Sequence, residues 1–116
     1  MTAHTFHETS MTLLAQADAD LAAGDVRQAS ENGWGAAAQI VKAAAEQRGL
    51  PHEDHAALYR VVDRLSTEAG DDNIYLLFQV ATQLLFSFYE NWHTPQSVQR
   101  ALAATRRFVE LVSRLI

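Results

Sequence analysis

The sequence has no cysteine, only two prolines and only five glycines among its 116 residues. The lack of cysteine excludes disulfides, thiolate zinc sites and cysteine nucleophiles, and it suits a reducing cytosol. No apolar run approaches the roughly 20 residues of a membrane-spanning helix, and the first segment, MTAHTFHETS, lacks the pattern of a signal peptide. We therefore expect a cytoplasmic protein with one domain over residues 1–116, of which residues 1–8 are flexible.

Common catalytic and cofactor motifs are also missing. The sequence contains no glycine-rich phosphate loop after a strand, no Gly-x-Ser-x-Gly elbow and no plausible catalytic triad. Glu90 and His93 form one Glu-x-x-His pair, whereas a di-iron bundle needs two such pairs and two more carboxylates. We therefore expect neither a metal nor a cofactor.

Every long segment repeats its apolar residues with a period of about 3.6, which is typical of helices. No segment alternates with a period of two, so no strand is expected. Short connections between long helices favour antiparallel neighbours, and the predicted fold is all-α, an up-and-down bundle of four to five antiparallel helices. The predicted helices run from about Thr9 to Ala23, from the cap Asp25 to Arg48, from Glu53 to Ala69, from Asp71 or Asp72 to Trp92, and from the cap Thr94 with Pro95 onward.

The fourth helix has an unusual composition, because no charged residue occurs between Ile74 and Tyr89. A helix this apolar is expected to be buried on most sides. Its polar but uncharged stripe faces water, a pocket, or its own copy across a two-fold axis, and we favour a homodimer or a larger even-numbered assembly. The predicted interface residues are Gln79, Thr82, Gln83, Phe86 and Ser87.

The net charge of −5 disfavours general affinity for nucleic acid. Arginines nevertheless predominate after residue 90, either as an ordinary solvated helix face or as a patch for an acidic partner or RNA. The aromatic residues near the end of the fourth helix also leave two interpretations open, a core with its rim or a stacking platform for bases. These aromatic residues are Phe86, Phe88, Tyr89 and Trp92.

The stretch KAAAEQRGLPHEDH, from Lys42 to His55, brings an arginine and two histidines close together. Arg48 and His55 are candidate catalytic residues of a metal-independent RNase, which needs a cation for the phosphate and an acid or base. The alternative is structural, since a cation also suits the end of one helix and carboxylates suit the start of the next. The wider candidate ligand site at the bundle end comprises His52, His55, Glu90 and His93.

Three runs carry a resemblance to a known family: GDVRQASENGWGAAAQIVKAAAEQRG (24–49), HAAL (55–58) and FYENWHTPQSV (88–98). They resemble the small paREP-type proteins, which belong with the HEPN (higher eukaryotes and prokaryotes nucleotide-binding) superfamily. The resemblance implies a helical bundle that dimerises and partners a nucleotidyltransferase, often as a toxin–antitoxin pair. Many HEPN proteins are RNases with an arginine, four to six residues, then a histidine, a spacing that Arg48 and His55 satisfy.

Two positions differ from the pattern that the resemblance implies. Leu85 and Ser87 stand where a histidine and an asparagine are expected before Phe-Tyr-Glu. We therefore predict a non-catalytic, homodimeric HEPN-like protein that binds a nucleotide, RNA or a protein partner. An RNase that uses Arg48 and His55, and a purely structural oligomerisation subunit, are the alternatives.

Overall fold

Five α-helices make up the fold within residues 2–90 and 93–116, the parts of the chain that the computed structural model describes. No strand occurs in these parts, which confirms the predicted all-α bundle. None of the described helices combines the length and the apolar character that a membrane-spanning helix needs. Trp92, the predicted end of the fourth helix, lies outside the described residues. The helices are α1 (Ala3–Ala22), α2 (Val26–Arg48), α3 (His55–Ala69), α4 (Asp72–Glu90) and α5 (Pro95–Ser113).

Local capping signals set most helix ends, as the sequence predicts. The Asp25 carboxylate accepts a hydrogen bond from the backbone N–H three residues later, at 3.1 Å. Gly49 and Gly70 end α2 and α3 with φ of 64° and 62°, the left-handed conformation that glycine adopts without a steric penalty. Thr94 caps α5 and Pro95 is its first residue, where the missing N–H has no helical partner to lose.

The first helix begins at Ala3 instead of the predicted Thr9. The Thr2 side chain caps it by accepting a hydrogen bond from the Thr5 N–H at 3.2 Å. Phe6 is buried on the first turns of this helix. The segment that we expected to be flexible therefore contains both a cap and a buried aromatic side chain, and the capping signal at Thr2 was missed.

The direction of α3 is the main feature of the topology that the loop lengths do not predict. Arg48, at the end of α2, pairs with Glu68, near the end of α3, while His55, the first residue of α3, contacts Trp34 in the first half of α2. The two helices therefore run in the same direction. Residues 49–54 span at most about 20 Å when extended, which is close to the roughly 21 Å of helix axis between Trp34 and Arg48.

The core centres on α2, which packs against each of the other four helices. Phe78 of α4 is fully buried, and its ring lies 5.0 Å from Tyr59, 5.3 Å from Phe108 and 5.8 Å from Trp34, measured between centroids. Rings at these separations add favourable edge and offset contacts to the burial of apolar area. Four helices therefore meet at one aromatic side chain.

Gly33 allows α2 to approach α4 and α5 closely. A Cβ at this position would lie 2.5 Å from Leu102 Cδ2 and 2.8 Å from Leu84 Cδ1, both below van der Waals contact. Leu102 and Leu84 are themselves buried, at 2% and 1% exposure, so neither side chain can move aside freely. The small residue in the middle of α2 thus sets the distance between helices on both sides.

Candidate functional site

Arg48, the candidate phosphate-binding residue, is engaged within the protein. Its guanidinium donates to both oxygens of the Glu68 carboxylate, at 2.7 and 3.1 Å. It also donates to the backbone carbonyls of Ala44 and Leu115, each at 3.1 Å. Four such bonds use most of the five N–H donors of an arginine, and the side chain is only 13% exposed. The geometry joins the ends of α2, α3 and α5 and leaves little of Arg48 for a phosphate.

The contact with Arg48 also affects the ionisation of the Glu68 carboxylate. The hydrogen bond from Arg48 lowers the pKa of Glu68 below its ordinary value of 4.5; partial desolvation opposes this, and the charges of Arg48 and Arg64 add to it. Glu68 therefore stays ionised in mildly acidic solution, and the pair keeps both of its charges there.

His52 lies in the connection between α2 and α3, residues 49–54. Its ring packs edge-on against Phe6 of α1 at a centroid distance of 5.5 Å, and its Nε2 lies 3.7 Å from a Glu46 carboxylate oxygen. The Lys42 ammonium donates to the His52 backbone carbonyl at 3.3 Å. These contacts fix the segment against α1 and α2. His52 Nδ1 is buried without a hydrogen-bond partner among the described residues.

His55 faces a different part of the molecule from His52. It is the first residue of α3, placed there by the Asp54 cap, whose carboxylate accepts from the Ala57 N–H at 2.8 Å. Its ring stands edge-on to Trp34 at 5.4 Å between centroids. Beside these rings is a pocket of about 230 Å³, here called the aromatic pocket, lined by Glu31, Trp34, His55, Leu85, Phe88 and Tyr89.

Half of the aromatic pocket was missed in the sequence, where His55 was assigned to a ligand site and Phe88 and Tyr89 to one of two interpretations, a stacking platform for bases. Glu31 and Trp34 are three residues apart on α2, and Leu85 and Phe88 are three apart on α4. This spacing puts each pair on one helix face. The signal was present in the sequence, but the pocket exists only because those two faces lie opposite each other.

Three contacts hold the start of α2 against the end of α4, beside the aromatic pocket. Arg27 Nε donates to the Phe88 carbonyl at 3.2 Å, and the guanidinium carbon lies 4.7 Å from the centroid of the Phe88 ring. The third contact is the hydrogen bond between the buried hydroxyls of Ser30 and Ser87, at 3.1 Å. A cation at the end of a helix also interacts favourably with its dipole.

The remaining candidate residues lie at the opposite end of α5 from Arg48. Glu90 is the exposed last residue of α4, and His93 is half-buried just before α5 begins. Arg48 contacts Leu115, beyond the last turn of α5, and a helix of this length extends about 27 Å. The expected single site at one bundle end is thus divided. No group of three or more histidines and carboxylates arranged to hold a metal ion occurs in residues 2–90 and 93–116.

One side of α4, the α4 face, is apolar and open to solvent. Leu76, Val80 and Phe86 are 57%, 39% and 50% exposed, which corrects the expectation that α4 is buried on most sides. Thr82 and Ser87 are instead buried, at 6% and 2%, although we expected them in the same interface. The α4 face consists of Leu76, Gln79, Val80, Gln83 and Phe86.

These features define an all-α bundle of five described helices around a central α2, with one aromatic pocket and one exposed apolar helix face. The chain belongs to the archaeal PaREP1/PaREP8 family, whose profile matches residues 5–109. No curated protein matches the sequence.

A crystal structure of a protein from Sulfolobus solfataricus has a similar fold. The two chains superpose with a TM-score of 0.81 at 19% sequence identity, and the similarity covers 91% of this chain and 94% of that one. At this identity the likeness concerns the fold. The match of the family profile confirms the family predicted from the paREP-type runs, at the level of PaREP1/PaREP8.

Proposed function

We propose that this protein is a non-catalytic binding protein that works as a homodimer, with the α4 face as the surface of self-association. The observation that carries this proposal is the exposure of Leu76, Val80 and Phe86 along one helix. Several exposed large apolar side chains along one helix suit a protein–protein contact. The absence of cysteine and the HEPN-like resemblance support a cytoplasmic setting for this dimer.

A second copy of the chain suits the α4 face for reasons of charge and symmetry. The protein has a net charge of −5, so two copies attract only where they bring no like charges together. The α4 sequence from Ile74 to Tyr89 contains no charged residue. Gln79 and Gln83 each offer a donor and an acceptor, and across a two-fold axis any amide contact between the two copies occurs twice.

Light scattering on the purified protein tests the proposal, with matched variants on two helices. Phe86 and Met11 are both 50% exposed, but only Phe86 belongs to the α4 face. We expect the wild type to be dimeric, Phe86→Glu to be monomeric, and Met11→Glu to remain dimeric. A monomeric wild type, or a dimer that persists in Phe86→Glu, would contradict the proposal.

Catalysis by Arg48 and His55 is the weaker alternative. Arg48 is held by Glu68 and two carbonyls, whereas His55 packs against Trp34. A metal-independent RNase needs both side chains free to reach one phosphate. We expect no cleavage of an RNA mixture by the wild type, and cleavage that disappears in His55→Ala would favour the RNase instead.

The resemblance to HEPN proteins supports a nucleotidyltransferase as a further partner, in a toxin–antitoxin-like pair. The net charge of −5 favours a protein partner over RNA or a nucleotide. Copurification of a tagged chain with a coexpressed nucleotidyltransferase measures this part of the proposal. Recovery of RNA in place of protein would contradict it.

A further inference from the structure

The walls of the aromatic pocket are mostly rings. Trp34 of α2 and Phe88 and Tyr89 of α4 line it, and Leu85 completes its apolar part. The Phe88 and Tyr89 rings stand nearly perpendicular, at an interplanar angle of 77° and a centroid distance of 5.1 Å. Aromatic faces that converge on a small space attract a cation through their quadrupoles, and indole does so best.

The one carboxylate in the pocket has no counterion among the described residues. Glu31 accepts a hydrogen bond from the Gln28 amide at 3.0 Å, and that partner is neutral. No arginine or lysine lines the pocket. Arg27 lies beside it, over the Phe88 ring, and is bound to the Phe88 carbonyl. The pocket lining thus combines aromatic walls with one carboxylate that forms no ion pair among the described residues, and Arg27 is the cation beside it.

Phe88 already binds a cation within the chain. The Arg27 guanidinium lies 4.7 Å from the centroid of its ring, within the range of a cation–π contact. The ring is thus able to hold a cation, and a second cation in the pocket would contact the part of Phe88 that lines it.

We infer that the aromatic pocket binds an alkylammonium cation, such as a quaternary ammonium head group. A volume of about 230 Å³ suits a small head group, and methyl groups on nitrogen reduce the cost of leaving water for apolar walls. A phosphate would be repelled by the Glu31 carboxylate, and the lining has no arginine or lysine to bind it. This inference goes beyond self-association and is independent of it, because it concerns α2, α3 and the pocket side of α4.

Titration followed by NMR tests the inference on the full chain. Tetramethylammonium chloride is added while the His55 ring and Trp34 indole signals are observed, and sodium chloride at equal ionic strength is the reference. We expect saturable shifts with tetramethylammonium and none with sodium. Parallel titrations with choline and with a trimethyl-lysine peptide distinguish a free small molecule from a modified side chain, by which of the two binds more tightly.

Two carboxylate variants distinguish binding in the pocket from general attraction of a cation to the negatively charged surface. Glu31 and Asp63 are both exposed, but Asp63 lies on α3 outside the pocket. We expect Glu31→Gln to weaken tetramethylammonium binding by about fivefold or more and Asp63→Asn to leave it unchanged. Equal weakening in both variants would overturn the inference, because binding would then reflect only net charge.

Adenosine monophosphate tests the competing interpretation, in which the pocket is a stacking platform for bases. We expect no saturable shift with this nucleotide. Absence of any tetramethylammonium effect, or binding of the nucleotide that tetramethylammonium does not displace, would overturn the assignment. Light scattering on the same samples reports self-association separately, so a monomeric protein that binds the cation would contradict only the proposed dimer.

Discussion

The Arg48 guanidinium contacts both oxygens of the Glu68 carboxylate, so the last turns of α2 and α3 lie side by side. The same guanidinium reaches the Leu115 carbonyl beyond α5. One side chain therefore joins the ends of three helices. Its role in the described contacts is structural, and several consequences can be measured.

Replacing Arg48 should destabilise the fold. Arg48→Met keeps the length of the aliphatic stem but removes the donors to the Ala44 and Leu115 carbonyls. We expect the free energy of unfolding to fall by about 1–3 kcal/mol, measured by urea denaturation. Arg100→Met, at an exposed position of α5, should change it by less than about 0.5 kcal/mol. Equal stability of the two variants would show that Arg48 is not a structural clamp.

Acid should weaken the Arg48–Glu68 ion pair in a defined pH range. Because the pKa of Glu68 is lowered from 4.5 by Arg48, its stabilising contribution is present above pH 4.5. The contribution is lost as the pH falls through the lower pKa of the folded state. Urea denaturation of the wild type and Glu68→Gln should therefore differ most near about pH 7 and converge toward about pH 2. A difference that grows as the pH falls would contradict the direction of the shift.

Gly33 and Gly35 offer a matched pair of substitutions on α2. Alanine in a helix interior gains about 0.5–1 kcal/mol over glycine, but overpacking a core costs about 1–3 kcal/mol. Gly33→Ala should be net destabilising by about 1 kcal/mol or more, because its Cβ would meet Leu102 and Leu84 at 2.5 and 2.8 Å.

Gly35→Ala is the control for this substitution. Its Cβ would meet only the Leu13 Cδ1, at 3.0 Å, and Leu13 is only partly buried. We expect the thermal midpoint of Gly35→Ala to be unchanged or higher and that of Gly33→Ala to be lower. A midpoint that rises in both would contradict tight packing of α2 against Leu84 and Leu102 at Gly33.

The buried hydroxyl pair between α2 and α4 should contribute a measurable coupling. The Ser30 and Ser87 hydroxyl oxygens lie 3.1 Å apart, and the Ser30 oxygen lies 2.9 Å from the Val26 carbonyl oxygen. Because a hydroxyl has one hydrogen, Ser30 accepts from Ser87 when it donates to the carbonyl. A double-mutant cycle with alanine at both positions should give an interaction energy of about 0.5–1.5 kcal/mol by urea denaturation. Strict additivity would contradict a direct bond between the two hydroxyls.

Much of the fold could be predicted because its signals are local. Gly49 and Gly70 end their helices, and Thr94 with Pro95 begins α5, since a cap or a left-handed residue acts on backbone groups within one turn. The start of α1 was predicted too late because Thr2, an equally local cap, was not recognised. The candidate site was less predictable, because Arg48 and His55 are close in sequence yet contact different partners.

The sequence by itself determined that the chain forms long helices, where most of them end, and that α4 carries no charge along most of its length. These properties depend on contacts between residues a few positions apart. Only the tertiary structure decided that α3 runs parallel to α2, that Glu68 takes up Arg48, and that Trp34 and Phe88 line one pocket. Each of these depends on which helix faces meet, and that is fixed by packing around residues such as Gly33 and Phe78 over the whole core.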